Sequence, residues 1–297
     1  MDIIQVITKE LNVEKWQVEA AVKLIDEGCT IPFISRYRKE ATGSLNDEQL
    51  RTLHERLTYL RNLEEKKNQV LGSIEEQGKL TAELKKQILD AQTLVVVEDL
   101  YRPFRPKRRT RAIIAKEKGL EPLANIIMLQ MTDKPMEEEA QDFVSEEKGV
   151  ETVADAINGA KDIIAEHISD EADYRIYLRK LTMDRGSVVS TAKKPEESSV
   201  YEMYYEFEEP IKKLAGHRVL ALNRGEKEKI LTVKVNAPEE EAMGWLQKQV
   251  ITKENPITKP ILREVVEDSY KRLIAPAIER EIRSDLTEKA EDGAIHV

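Results

Sequence analysis

The chain has 297 residues, 40% of them hydrophobic and 5% aromatic, with 47 Lys and Arg against 56 Asp and Glu for a net charge of −9. That length suffices for two or three domains, and the charge-rich, Gly- and Pro-poor composition points to helices with solvated faces. No apolar run approaches the roughly 20 residues that span a bilayer, the single Cys29 excludes an intrachain disulfide or a Cys-based zinc site, and the acidic total restricts any nucleic-acid binding to a local patch.

Asp2 can cap a short first helix carrying Ile3, Ile4, Val6 and Ile7. Val13 to Glu27 reads as a second helix with Trp16, Val18, Ala21, Val22, Leu24 and Ile25 as its apolar set, and Gly28 suits the position after its end. Thr30 to Glu40 follows, with Pro32 in its first turn and Thr42-Gly43 as its break. Three helices with short turns resemble a helix-turn-helix. Asn46 then opens a long helix, with Gln49 as its capping-box partner. Its apolar stripe is Leu50, Leu53, Leu57 and Leu60; it drifts at Leu63 and resumes at Val70, Leu71 and Ile74 before Gly78 ends the helix. Core packing explains that stripe better than a coiled coil, because the repeat is not sustained.

Thr81 caps a helix through Gln92, and the apolar run Leu94 to Leu100 leads into a basic segment. Helices are expected over 110–118, 121–130, 153–167 and 171–182, and residues 132–151 are acid-rich. Beyond Gly186 the texture changes. Residues 187–191 are β-like, 193–199 linker-like and 201–207 aromatic-rich. His217 to Arg224 reads as a helix ended by Gly225, and Ile230 to Val235 as a strand. Pro238, Pro260 and Pro276 begin or kink further helices. The last carries Ile278, Ile282, Leu286 and Ala290 at four-residue spacing, with Glu279 and Arg283 as a possible ion pair. The expected fold is mainly α: a multi-helix bundle with a helix-turn-helix-like N-terminal element, a small β element near 186–235 and a long C-terminal helix.

The basic segment holds Arg102, Arg105, Lys107, Arg108, Arg109 and Arg111 within eleven positions and no acid. Tyr101 and Phe104 offer rings, and Pro103 and Pro106 stiffen the chain. Such a patch can track a phosphate backbone while its rings stack on bases. Equally, it can be a solvated loop neutralised by the acids of 137–151. Arg36, Arg38 and Lys39 form a second candidate cluster, which neighbouring acids such as Glu27 or Glu40 could instead satisfy.

No dinucleotide fingerprint, Walker loop or His-Glu-x-x-His is present. His54, His167, His217 and His296 are dispersed, with surface positions expected for the first two and a capping or backbone contact for His217. Cys29 is expected to serve as a small buried apolar residue, and Trp16 and Trp245 as core. No catalytic residue, metal ligand or cofactor is expected. The N-terminus lacks the basic and apolar stretches of a secretory signal, so a cytoplasmic location is expected.

Several ordered segments carry a resemblance: 28–43 (GCTIPFISRYRKEATG), 45–53 (LNDEQLRTL), 76–80 (EQGKL), 98–103 (EDLYRP), 106–111 (PKRRTR), 117–124 (EKGLEPLA), 217–225 (HRVLALNRG) and 279–286 (EREIRSDL). Together they resemble the Tex family of bacterial transcription accessory proteins. The resemblance implies residues 1–192 as a helical N-terminal domain and 193–297 as a mixed α/β segment leading into a long central helix. It further implies that the later RNase H-like YqgF, helix-hairpin-helix and OB-fold RNA-binding domains lie outside this chain, which fits the absence of a clear stop signal before Val297. Expected partners are RNA or DNA, bound weakly and salt-sensitively, and transcription machinery; no membrane is expected. Eukaryotic relatives in the family are elongation factors that act with RNA polymerase and histones. The other reading left open is a protein-interaction scaffold without nucleic-acid binding of its own.

Overall fold

Asn46 accepts from the Gln49 backbone N–H at 2.8 Å, and Gln49 returns a side-chain oxygen to the Asn46 N–H at 3.0 Å. This capping box, worth about 1 kcal/mol, starts a thirty-residue helix in the computed structural model of the chain. The structure describes residues 1–106 and 108–295, the last two as backbone only. Lys107, His296 and Val297 lie outside the described residues. The chain divides into two compact units, Met1–Phe104 and Arg105–Val297.

In the first unit the helices are α1 (Ile3–Leu11), α2 (Lys15–Asp26), α3 (Ile31–Tyr37), α4 (Lys39–Thr42), α5 (Asp47–Glu76), α6 (Ala82–Asp90) and α7 (Leu94–Tyr101), followed by a 3₁₀ turn at Arg102–Phe104. Asp2, Thr30, Thr81 and Thr93 cap α1, α3, α6 and α7 through side-chain oxygens. The expected helix over 30–40 is divided at Arg38, which leaves helical geometry at φ −131° and ψ 27°.

The spine is α5. It buries Leu50, Leu53, Leu57, Leu60, Leu63, Lys67, Val70 and Ile74, spaced by three and four residues throughout. Leu63 is fully buried, so the stripe does not drift; Lys67 occupies the next core position and hides its continuity in the sequence. Trp16, expected in the core, is 53% exposed. Val18, Ala21 and Val22 form the buried face of α2, and Trp16 stands two positions, about 200°, round the helix from Val18. Cys29 is half-buried against the same core.

The second unit contains α8 (Arg111–Glu117), α9 (Glu121–Leu129), α10 (Met136–Gln141), α11 (Val153–Asp170), α12 (Ala172–Arg185), β1 (Ser187–Ala192), β2 (Glu206–Pro210), α13 (Gly216–Lys227), β3 (Leu231–Asn236), α14 (Glu239–Val250) and α15 (Thr258–Asp268). A π-helical turn at Ser269–Ile274 joins α15 to α16 (Ala275–Ile295), giving the long C-terminal helix. Pro276 has no N–H for the helical ladder, and the irregular turn ends two residues before it. Buried Arg175 on α12 donates to the Ile274 carbonyl at 3.3 Å.

The sheet has the order β2-β1-β3 and is antiparallel throughout. Val188 pairs with Glu209 on one side and Val235 on the other. α11 is the centre of this unit and packs against α8, α9, α10 and α15. It buries Ala156, Ala160, Ile163, Ile164 and Ile168.

Two expectations change here. Gly225 does not end α13 but lies inside it, where an added Cβ would stand 2.4 Å from Leu231 Cδ1. Glu279 and Arg283 do not pair with each other. Glu279 accepts from the Val235 N–H at 3.2 Å, while Arg283 reaches Glu226 at 2.8 Å and Asn223 at 3.0 Å. Trp245 is half-buried, stacked on Tyr177 with ring centroids 3.8 Å apart and set edge-on to Tyr174.

Candidate nucleic-acid interface

The apolar run before the basic segment folds as α7, because Val97 is drawn into the core beside α5. This brings Tyr101 and Phe104, the two rings of the segment, half-buried against that core. The Tyr101 hydroxyl lies 2.9 Å from Ser73 Oγ, and Lys66 Nζ stands 5.8 Å from its ring centroid. Gln77 donates to the Phe104 carbonyl at 2.8 Å. Arg102 is likewise half-buried.

In the second unit Arg105, Arg108, Arg109 and Arg111 are exposed. Arg109 is bidentate to Glu117, with nitrogen–oxygen distances of 3.0 and 2.7 Å. Its neutralising acid is therefore on α8, eight residues on, and not in the acid-rich 137–151 stretch. Arg111 opens α8 and lines a cleft with Asn158, Lys161, Asp162, Glu264 and Asp268. Burial pushes the Asp162 carboxyl up, against the pull of Arg272 and Arg111. Arg272 is held by Asp268 at 2.9 Å, and Lys161 by Glu264 at 2.6 Å, so this cleft is a balanced polar network.

The second cluster sits on α3 and α4. Arg36, Arg38 and Lys39 are all exposed. The Arg38 guanidinium donates to the Tyr37 carbonyl at 2.9 Å and lies 4.9 Å from the Phe33 ring centroid, so backbone and ring hold it, not Glu27 or Glu40. Tyr37 is 66% exposed, with its ring 5.5 Å from that of Phe33. Two exposed rings near this turn were missed from the sequence: Trp16, whose ring lies close to Gly43 at the end of α4, because an aromatic reads as core, and Tyr37, because it follows the core position Ile34 by three.

His54, His167 and His217 are exposed. Among the described residues, no group of three or more His, Cys, Asp and Glu side chains is placed to hold a metal ion, and no helix is long and apolar enough to cross a membrane.

Two mainly helical units, with basic segment 101–111 at their covalent junction, define a class of multi-helix proteins that carry local positive charge on an acidic chain. Residues 1–75 match the family model of the Tex-like protein N-terminal domain, and residues 130–297 match that of the Tex central region. The chain belongs to the Tex family. It is 50% identical over 296 residues to the uncharacterised protein YdcI of Bacillus subtilis strain 168, covering 99% of this chain and 41% of that protein. It is 36% identical over 304 residues to the transcriptional accessory protein Tex of Neisseria gonorrhoeae, covering 100% and 40%. It is 31% identical over 310 residues to human S1 RNA-binding domain-containing protein 1, covering 99% and 31%. The chain thus spans about two fifths of the bacterial relatives it matches.

Proposed function

We propose that this chain acts in transcription as the helical scaffold of an accessory protein and adds auxiliary contact to a nucleic-acid backbone. The observation that carries this reading is the exposure of Arg105, Arg108, Arg109 and Arg111 on a chain of net charge −9. Arg102 and Lys107 extend the same run of charge, and Arg36, Arg38 and Lys39 add a second patch. Tyr101 and Phe104, half-buried against the core, offer only part of their surface. Support also comes from the names of two relatives, a transcriptional accessory protein and an S1 RNA-binding domain-containing protein. A cytoplasmic location and no catalysis by this chain are part of the proposal.

A second reading, a protein-interaction scaffold, is favoured by the bidentate Arg109–Glu117 pair, which already occupies one of the cations. Anisotropy of labelled single-stranded RNA and duplex DNA across a salt series separates the two readings. Three phosphate contacts give a slope of log K against log salt of about −3 on duplex and about −2 on single strands. Neutralising Arg105, Arg108 and Arg109 to Gln removes that slope if the segment meets phosphate. Unchanged binding in the variant, or none by either protein, favours the interaction scaffold.

A further inference from the structure

We propose that Trp16, Tyr37 and the cations of α3 and α4 form a stacking site for unpaired nucleotides, separate from the 101–111 segment. The inference rests on the nucleic-acid reading above: it takes up the second patch of Arg36, Arg38 and Lys39, adds Trp16 and Tyr37 to it, and narrows the ligand to single-stranded RNA or DNA.

Four observations meet on this surface. Two large rings, Trp16 and Tyr37, are more than half exposed. Positions 36–40 hold Arg36, Arg38 and Lys39 against one acid, Glu40. The Trp16 ring lies close to Gly43, which has φ +65°: a Cβ built there would stand 2.6 Å from Trp16 Cη2. Gln17, next to Trp16, donates to the carbonyls of Thr42 and Gly43 at 3.0 and 3.1 Å. These bonds tie the start of α2 to the end of α4, so the indole lies against a turn four residues beyond Lys39. An aromatic side chain has only two rotatable bonds to order when a base stacks on it.

The chemistry favours bases over an acidic peptide. A peptide carboxylate would use the cations and leave the rings idle. A single strand supplies phosphates to Arg36 and Lys39 and π-faces to Tyr37 and Trp16 in one ligand. In a duplex the bases are already stacked, so the rings gain nothing from it. Arg38, held over Phe33 at 4.9 Å, stiffens the cation–aromatic edge of the patch.

The two tryptophans allow a direct test in the full 297-residue chain. In Trp245→Phe, Trp16 is the remaining indole, and its emission is followed during titration with a short oligouridine. Quenching is expected, weakening with salt by a slope of about −0.7 per phosphate met. Tyr37→Ala is expected to raise the half-saturation concentration roughly 5- to 100-fold at unchanged melting temperature. Arg36→Gln with Lys39→Gln is expected to flatten the salt slope by about 1.4. If Trp245→Phe does not melt cooperatively, the emission difference between the natural chain and Trp16→Phe replaces it.

Absence of quenching at low salt overturns the proposal. So does equal quenching by duplex DNA, which removes the stacking argument, or by polyglutamate, which points to an acidic protein partner. Quenching that survives neutralisation of Arg105, Arg108 and Arg109, when anisotropy is unaffected by the same change, sinks the basic-segment reading alone. Anisotropy binding without Trp16 quenching sinks this one alone.

Discussion

Lys67 carries its ammonium into the apolar seam of α5 and donates to the Leu89 carbonyl at 2.7 Å, with 1% of the residue exposed. Burial holds its pKa below the ordinary lysine value, against the pull of Glu64 and Asp90. Between that lowered value and the ordinary one near 10.4, the unfolded chain binds more protons than the folded chain. Stability therefore rises with pH in that window. Melting temperatures of the natural chain and Lys67→Met, compared from pH 8 upward, should show the natural chain gaining on the variant; a constant difference would contradict a desolvated ammonium. The same residue explains a misreading. Periodicity assigns faces by residue type, so a lysine at a core position looks like the end of a stripe, although Leu63 before it and Val70 after it are buried. Trp16 is the converse case: an aromatic at a solvent position looks like core until the phase of α2 is fixed by Val18 and Val22.

The helix starts are the most legible elements. Asp2, Thr30, Asn46, Thr81 and Thr110 each cap through a side-chain oxygen, because the capping bond spans only three residues and needs nothing from tertiary structure. Elements that depend on distant partners were less legible. β2 (EFEEP) is acidic, and it becomes a strand by pairing with β1. Gly225 looks like a stop signal, yet it is conditioned by contact with Leu231 and Tyr201. Glycine to alanine inside a helix normally adds about 1 kcal/mol of stability. Gly225→Ala should instead cost about 1–3 kcal/mol by overpacking. Gly72→Ala, at an exposed position of α5 with nothing within 4 Å of the added Cβ, should stabilise. Urea unfolding of the two variants checks the opposite signs; stabilisation by both would show that Gly225 is not closely packed.

At the scale of the molecule, Phe104 and Arg105 belong to different compact units, and Arg105, Arg108 and Arg109 are exposed beside that border. Limited trypsin treatment should cut there first and leave two fragments with helical circular dichroism and cooperative melts. Early cleavage elsewhere, or loss of helicity on cleavage, would mean that the units do not fold separately. The sequence made the mainly α architecture, the β element and the long final helix readable, because these follow from local pattern. Which basic residues stay exposed and which rings lie flat on a neighbour depends on packing between elements far apart in the chain. The π turn at Ser269–Ile274 shows the cost and use of such packing. A wider turn delays the helical count by one residue, about 100° of rotation. The last rod is thus a screw cut in two phases: α15 meshes with α11 and α14, and α16 with α13. Deleting the exposed Lys271 would bring the thread back into step and leave α16 offering α13 the wrong side.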